Sequence, residues 1–119
     1  MMKKLTALLT ALFLLLSATA LADDVIHIGI IQFAEHGSLD NCRIGFIEGL
    51  AEEGFVEGEN VVFDVQNAQA DTAISAQIAD VMAGKYDMIC AIATPAAMAA
   101  FNAAEDAGIP VIYTAVSDP

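Results

Sequence analysis

The sequence predicts an α/β fold, a doubly wound parallel sheet with strand order 2-1-3-4. Three observations point there. Four short runs rich in apolar and β-branched residues recur along the chain, around Ile28, Phe63, Ile89 and Ile112. Amphipathic stretches of about 10–15 residues separate them, and that alternation marks βαβ units. Several runs are apolar at successive positions, as in strands covered on both faces. Right-handed crossovers then leave few topologies. In the 2-1-3-4 order the winding reverses between strands 1 and 3, and the crevice at their carboxyl ends is where such sheets bind ligands.

Each element has its own signals. Val25 to Ile31 reads as the first strand. Ser38 is the expected N-cap of the first helix, with Leu39, Cys42, Phe46, Ile47 and Leu50 at helical spacing and Gly54 as its stop. Gly58-Glu59-Asn60 turns the chain into a second strand, Val61 to Val65. Asp71 caps the second helix, whose apolar stripe is expected to be Ile74, Ile78, Val81 and Met82, ending at Gly84. Asp87 to Ile92 is the third strand. Thr94-Pro95 reads as an N-cap followed by proline at the first helical position, and Gly108 stops that third helix. Pro110 to Thr114 is the fourth strand. Crossover handedness is expected to separate the first two helices from the third, on opposite faces. Strand 4 is left as an open apolar edge, which recruits other chains.

The chain has 119 residues, enough for one small domain. Its hydrophobic content, 57%, is concentrated near the start. Lys3 and Lys4 precede an apolar run from Leu5 to Leu16, and Ala20-Leu21-Ala22 forms a small-residue cleavage pattern. Residues 1–22 therefore read as a cleaved signal peptide, and Asp23 as the first mature residue. A membrane anchor is the alternative, but the small-residue end fits a peptidase better. Export places the protein outside the cytoplasm, which in a Gram-negative cell means the periplasm, with no membrane insertion after cleavage. Without the leader, Arg43 and Lys85 face 16 acidic residues. A chain so acidic does not bind nucleic acid by neutralising phosphates.

The common catalytic signatures are missing. No G-x-G-x-x-G, P-loop or G-x-S-x-G motif occurs. Cys42 and Cys90 fall in a helix and a buried strand, where single cysteines pack as small apolar residues. Two cysteines and two histidines show no metal-ligand spacing, so no metal or cofactor is expected. His27 reads as a structural residue of strand 1.

What remains is a crevice of four loops. Loop 1 carries Gln32, Phe33, Glu35 and His36, and His36 is open to two readings, an exposed loop residue or a ligand contact. Loop 2 offers the amides of Asn67 and Gln69, suited to a neutral or zwitterionic ligand. Loop 3 brings Thr94, Pro95, Ala96 and Ala97, where a helix start presents N–H groups to an anion. Thr94-Pro95 reads equally well as a helix cap alone. Ser117 and Asp118 complete the rim in loop 4.

Several segments in order carry a resemblance: Ile44-Gly45-Phe46-Ile47-Glu48-Gly49-Leu50, Gly54 to Val61, Gln66-Asn67-Ala68-Gln69, Ala93 to Ala97 and Thr114 to Pro119. They resemble the substrate-binding proteins of ABC transporters, the tryptophan/tyrosine-type family with the type I periplasmic-binding fold. The resemblance implies extracytoplasmic capture of a small solute, often an amino acid, and its delivery to a membrane permease, with no covalent chemistry. It implies that the four loops line one half of a ligand cleft. It also implies two hinged lobes, so that residues 23–119 correspond to a partial N-terminal lobe, a truncated first lobe with its cleft open to water. Two other readings share the fold. One is a ligand-sensing domain of a signalling system. The other is a secreted enzyme on a flavodoxin-like sheet, which lacks a nucleophile–base pair here.

Overall fold

A computed structural model describes residues 25–117; the leader and the expected mature start at Asp23 lie outside them. Among the described residues, seven elements alternate in order. They are β1 (Ile26–Gln32), α1 (Gly37–Glu52), β2 (Val61–Asn67), α2 (Thr72–Ala83), β3 (Met88–Ile92), α3 (Thr94–Ala107) and β4 (Val111–Thr114). The sheet has the expected order, β2-β1-β3-β4, and every pairing is parallel.

Side chains of β1 divide the core into two layers. Ile28 and Ile30 join Val61, Cys90 and Ile92 beneath α1, whose Leu39, Cys42, Phe46, Ile47 and Leu50 pack on them. The opposite layer gathers Ile31, Ala79, Met82, Ile89, Ala91, Ala96 and Ala100, so α2 and α3 share a face and α1 lies alone. This corrects the expected partition of the helices. Crossing from β2 over β1 to β3 reverses direction relative to the first crossover, and right-handedness then moves α2 to the other face. The next crossover, β3 to β4, keeps that direction, and α3 stays beside α2.

Three local expectations are also corrected. Helix α1 is capped by His36, whose Nδ1 accepts the Ser38 N–H at 3.2 Å, so the cap lies two residues before Ser38. Helix α2 buries Ser75, Ala79 and Met82, while Val81 is 65% exposed. Small residues face inward there because α2 packs closely against the alanines of α3. Ser75 tolerates burial because its hydroxyl donates to the Asp71 carbonyl at 3.1 Å. Asp71 caps α2 as expected, its Oδ1 accepting the N–H groups of Ala73 and Ile74 at 2.8 and 3.1 Å. The third correction concerns Thr94, which is the first residue of α3 and not its cap. The cap position is Ala93, with no side-chain hydrogen bond.

Gly29, in the middle of β1, faces the α2 layer. A Cβ there would lie 2.5 Å from Met82 Sδ and 3.0 Å from Tyr86 Cδ2, so glycine is what admits the fully buried Met82. Tyr86 in turn donates its hydroxyl proton to Asp64 Oδ2 at 2.7 Å, joining the turn after α2 to β2. This bond to a carboxylate raises the Tyr86 pKa above the ordinary phenol value.

Candidate functional site

Parallel pairing brings four chain exits to one level. Gln32 pairs with Asn67 on one side and Ile92 on the other, and Ile92 pairs with Thr114. The loops after all four strands therefore leave the same edge of the sheet. Backbone hydrogen bonds continue between them. Phe33 N–H donates to the Ile92 carbonyl at 3.2 Å, and Ala70 N–H to the Phe33 carbonyl at 2.8 Å. Ala68 N–H donates to the Gln32 carbonyl at 2.9 Å, and Ala93 N–H to the Thr114 carbonyl at 3.0 Å.

The same edge holds the backbone strain. Among the described residues, the non-glycine residues with positive φ are Gln69, Ala70, Ala93 and Ala115, and all lie in these loops. Ala93, at φ 85° and ψ 156°, occupies a region that glycine normally fills. A conformation that costs about 1–3 kcal/mol per residue is kept where the surroundings or a function require it.

The individual residues divide into groups. Gln32 belongs to β1 and is 3% exposed, and its amide is fully occupied. Nε2 donates to the Ala34 carbonyl at 2.8 Å and to Asp40 Oδ1 at 2.6 Å, while Oε1 accepts from Arg43 Nε at 3.0 Å. Phe33 leans against the α2–α3 layer. Glu35 and His36 are exposed at the rim. Asn67 ends β2 and its Oδ1 accepts the Gln69 N–H at 2.7 Å, which supports the left-handed turn at Gln69 and Ala70.

At the start of α3, Ala96 is fully buried while Thr94, Pro95 and Ala97 are half-buried. Pro95 brings no N–H, and the Ala97 N–H is spent on the Ala93 carbonyl at 3.0 Å. Thr94 reaches across to loop 4 instead of capping its helix. Its Oγ1 accepts the Ser117 N–H at 3.3 Å and lies 3.5 Å from Ser117 Oγ. Loops 3 and 4 are thereby tied, as loops 1 and 2 are by their backbone bonds. Asp118 lies outside the described residues.

A hollow lies beside this edge, between α3 and β4. It has a volume of about 620 Å³ and touches the expected site residues at Thr94 and Ala97. Met98, Phe101, Asn102, Val111, Tyr113 and Val116 form the rest. Sequence reasoning missed them. The available signal was an inverted size pattern in α3, where alanines (Ala96, Ala100, Ala104) are buried and the large Met98 and Phe101 are left more than 60% exposed.

A family model described as ABC transporter substrate binding protein matches residues 27–119. The chain belongs to that family. It is 48% identical over 94 residues to a tyrosine-binding protein of Clostridioides difficile, covering 78% of this chain and 27% of that one. Solved structures agree. A ligand-free, open substrate-binding protein with adhesive properties from Clostridium difficile superposes with a TM-score of 0.75 at 51% identity, over 80% of this chain and 32% of the other. An ABC domain from Streptococcus pneumoniae in complex with L-Trp superposes with a TM-score of 0.73 at 38% identity and the same coverage. The chain thus spans about a third or less of the relatives it matches.

Proposed function

We propose that this chain supplies one wall of an extracytoplasmic amino-acid-binding protein of an ABC importer, with aromatic amino acids as the solute class. The observation that carries the reading is the 48% identity with a tyrosine-binding protein over a stretch that includes most of the rim. A relative in complex with L-Trp supports the same class. In this reading the solute sits at the carboxyl edge of the sheet, against loops 33–36, 67–70, 93–97 and 115–118. Delivery to a membrane permease follows capture, no bond of the solute is made or broken, and residues 1–22 direct export before removal.

One wall alone leaves the solute half in water, so contacts gain little from desolvation and affinity falls toward the millimolar range, on the order of −4 kcal/mol. The chain contains no tryptophan, so bound L-tryptophan can be excited selectively. Titrating the chain into L-tryptophan is expected to raise its fluorescence anisotropy, and Thr94→Val is expected to blunt the rise. An anisotropy that stays at the free-ligand value up to millimolar chain would contradict the reading.

A further inference from the structure

We infer that Arg43 is a positioning residue for the ligand rim, acting through a three-residue bracket of Gln32, Asp40 and Arg43. This assignment rests on the reading of the carboxyl edge as the solute wall. The Gln32 side chain shares the parity of Ile28 and Ile30, which face α1, so it lies on the α1 side of β1. There it meets two side chains from the first turns of α1. Arg43 Nε donates to Gln32 Oε1 at 3.0 Å, and Gln32 Nε2 donates to Asp40 Oδ1 at 2.6 Å. Arg43 Nη2 closes the figure at 3.8 Å from the same Asp40 oxygen. The second proton on Gln32 Nε2 goes to the Ala34 carbonyl at 2.8 Å, in the middle of loop 1.

Each contact restricts the next. A primary amide has two donor protons and one carbonyl, and all are engaged here, so its plane cannot flip without breaking charge-assisted bonds. Arg43 holds the carbonyl end of the amide, and Asp40 takes one of the two protons at its nitrogen end. The remaining proton then points at Ala34 and holds the loop that presents Glu35 and His36. Gln32 is therefore assigned to holding the rim rather than to touching solute. Lysine at position 43 could not replace the arginine, because its compact ammonium lacks the planar fork that reaches an amide and a carboxylate together.

Three variants of the full chain test the bracket, with ¹⁵N relaxation at Glu35, amide exchange at Ala70 and L-tryptophan anisotropy as readouts. The Ala70 N–H reports on the loop because it is bonded to the Phe33 carbonyl. Arg43→Met and Arg43→Lys are each expected to lower the Glu35 order parameter from about 0.85 toward 0.6 or below. Both are expected to speed Ala70 exchange and weaken L-tryptophan binding by about tenfold, the loss of roughly one hydrogen bond. The third variant is the pair Gln32→Glu with Asp40→Asn. It reverses the direction of the hydrogen bond between positions 32 and 40 and keeps the bond to Arg43, but leaves the Ala34 carbonyl without its donor. Its melting temperature is expected near that of the parent while the loop stays loose, whereas a purely structural role would move both together. A Glu35 amide that remains rigid in all three variants overturns the bracket. A loosened loop with unchanged L-tryptophan binding overturns the positioning role. A parent chain that gives no L-tryptophan response contradicts the proposed function instead, and the bracket is still judged by Glu35 and Ala70.

Discussion

Replacing Gly29 with alanine adds one methyl group where β1 faces Met82 of α2. The new Cβ would stand 2.5 Å from Met82 Sδ, 3.0 Å from Met82 Cγ and 3.0 Å from Tyr86 Cδ2. Contact between carbon and sulfur needs considerably more, so Met82 must leave its rotamer. Methionine is flexible, but this one is fully buried between Ile31, Ile89 and the α3 alanines, with little free volume to turn into. Overpacking of this kind costs about 1–3 kcal/mol. Against it stands the reduced freedom of the unfolded chain, which favours alanine by about 0.4–1 kcal/mol. The steric cost wins, and a net loss of about 1–2 kcal/mol corresponds to a melting temperature lower by roughly 10 °C in a domain of this size. Urea unfolding followed by circular dichroism measures it. A second substitution checks the cause. Met82→Ala alone opens a cavity and costs about 2–5 kcal/mol. In the Gly29→Ala background the added methyl partly fills that cavity, so the double variant is expected to lose at least about 1 kcal/mol less than the sum. A Gly29→Ala chain as stable as the parent, or strictly additive losses, would refute the close-approach argument.

Other consequences concern the strained edge, the titrating groups and the open face. Ala93→Gly is expected to stabilise the fold by about 1 kcal/mol, because glycine adopts positive φ without the Cβ clash; denaturant midpoints check this. The Tyr86 pKa is raised in the folded state, so its contribution is fully present below the unfolded value near 10 and is lost as pH rises through the folded value. Stability should therefore fall more steeply above pH 10 in the parent than in Tyr86→Phe, as parallel melting curves would reveal. Burial pushes the Cys90 thiol up to about 12, with a smaller contribution from Cys42. At pH 8 about one Cys90 thiol in ten thousand is ionised, so a disulfide reagent should label it only as fast as the chain unfolds. Finally, Phe101→Ser should lower concentration-dependent self-association in sedimentation velocity, since the α3–β4 groove and the β4 edge expose apolar surface.

The sheet was legible because buried parallel strands leave continuous apolar runs, and handedness limits how they can be joined. The two edges that winding rules assign to β2 and β4 are the observed ones. Helix phase was less legible. The apolar count in α2 favours Val81, but the facing surface of α3 is made of alanines, and close approach selects Ser75 and Ala79 instead. Caps were read from residue preference, which ranks serine and threonine above histidine and alanine. Preference does not show that the His36 imidazole can accept the bond at the start of α1. Nor does it show that Thr94 spends its hydroxyl on Ser117.

At the candidate site, loop positions followed from topology alone, while side-chain duties did not. Gln32 is polar and sits at the carboxyl end of the first strand, which reads as a ligand contact. Its direction depends on strand parity, and parity places it on the α1 side beside Asp40 and Arg43. The positive φ values at Gln69, Ala70, Ala93 and Ala115 carry no sequence signature, because alanine and glutamine do not advertise that conformation.

The central claim is that the solute meets this chain at the carboxyl edge of the sheet. A ¹H–¹⁵N correlation titration of the chain with L-tryptophan tests it residue by residue. Saturable shifts are expected at residues 33–36, 67–70, 93–97 and 115–117, with those at Glu35, Gln69 and Thr94 following one binding curve. Shifts confined to the smaller hollow lined by Asp64, Gln77 and Val81, or a spectrum unchanged at saturating L-tryptophan, would contradict it.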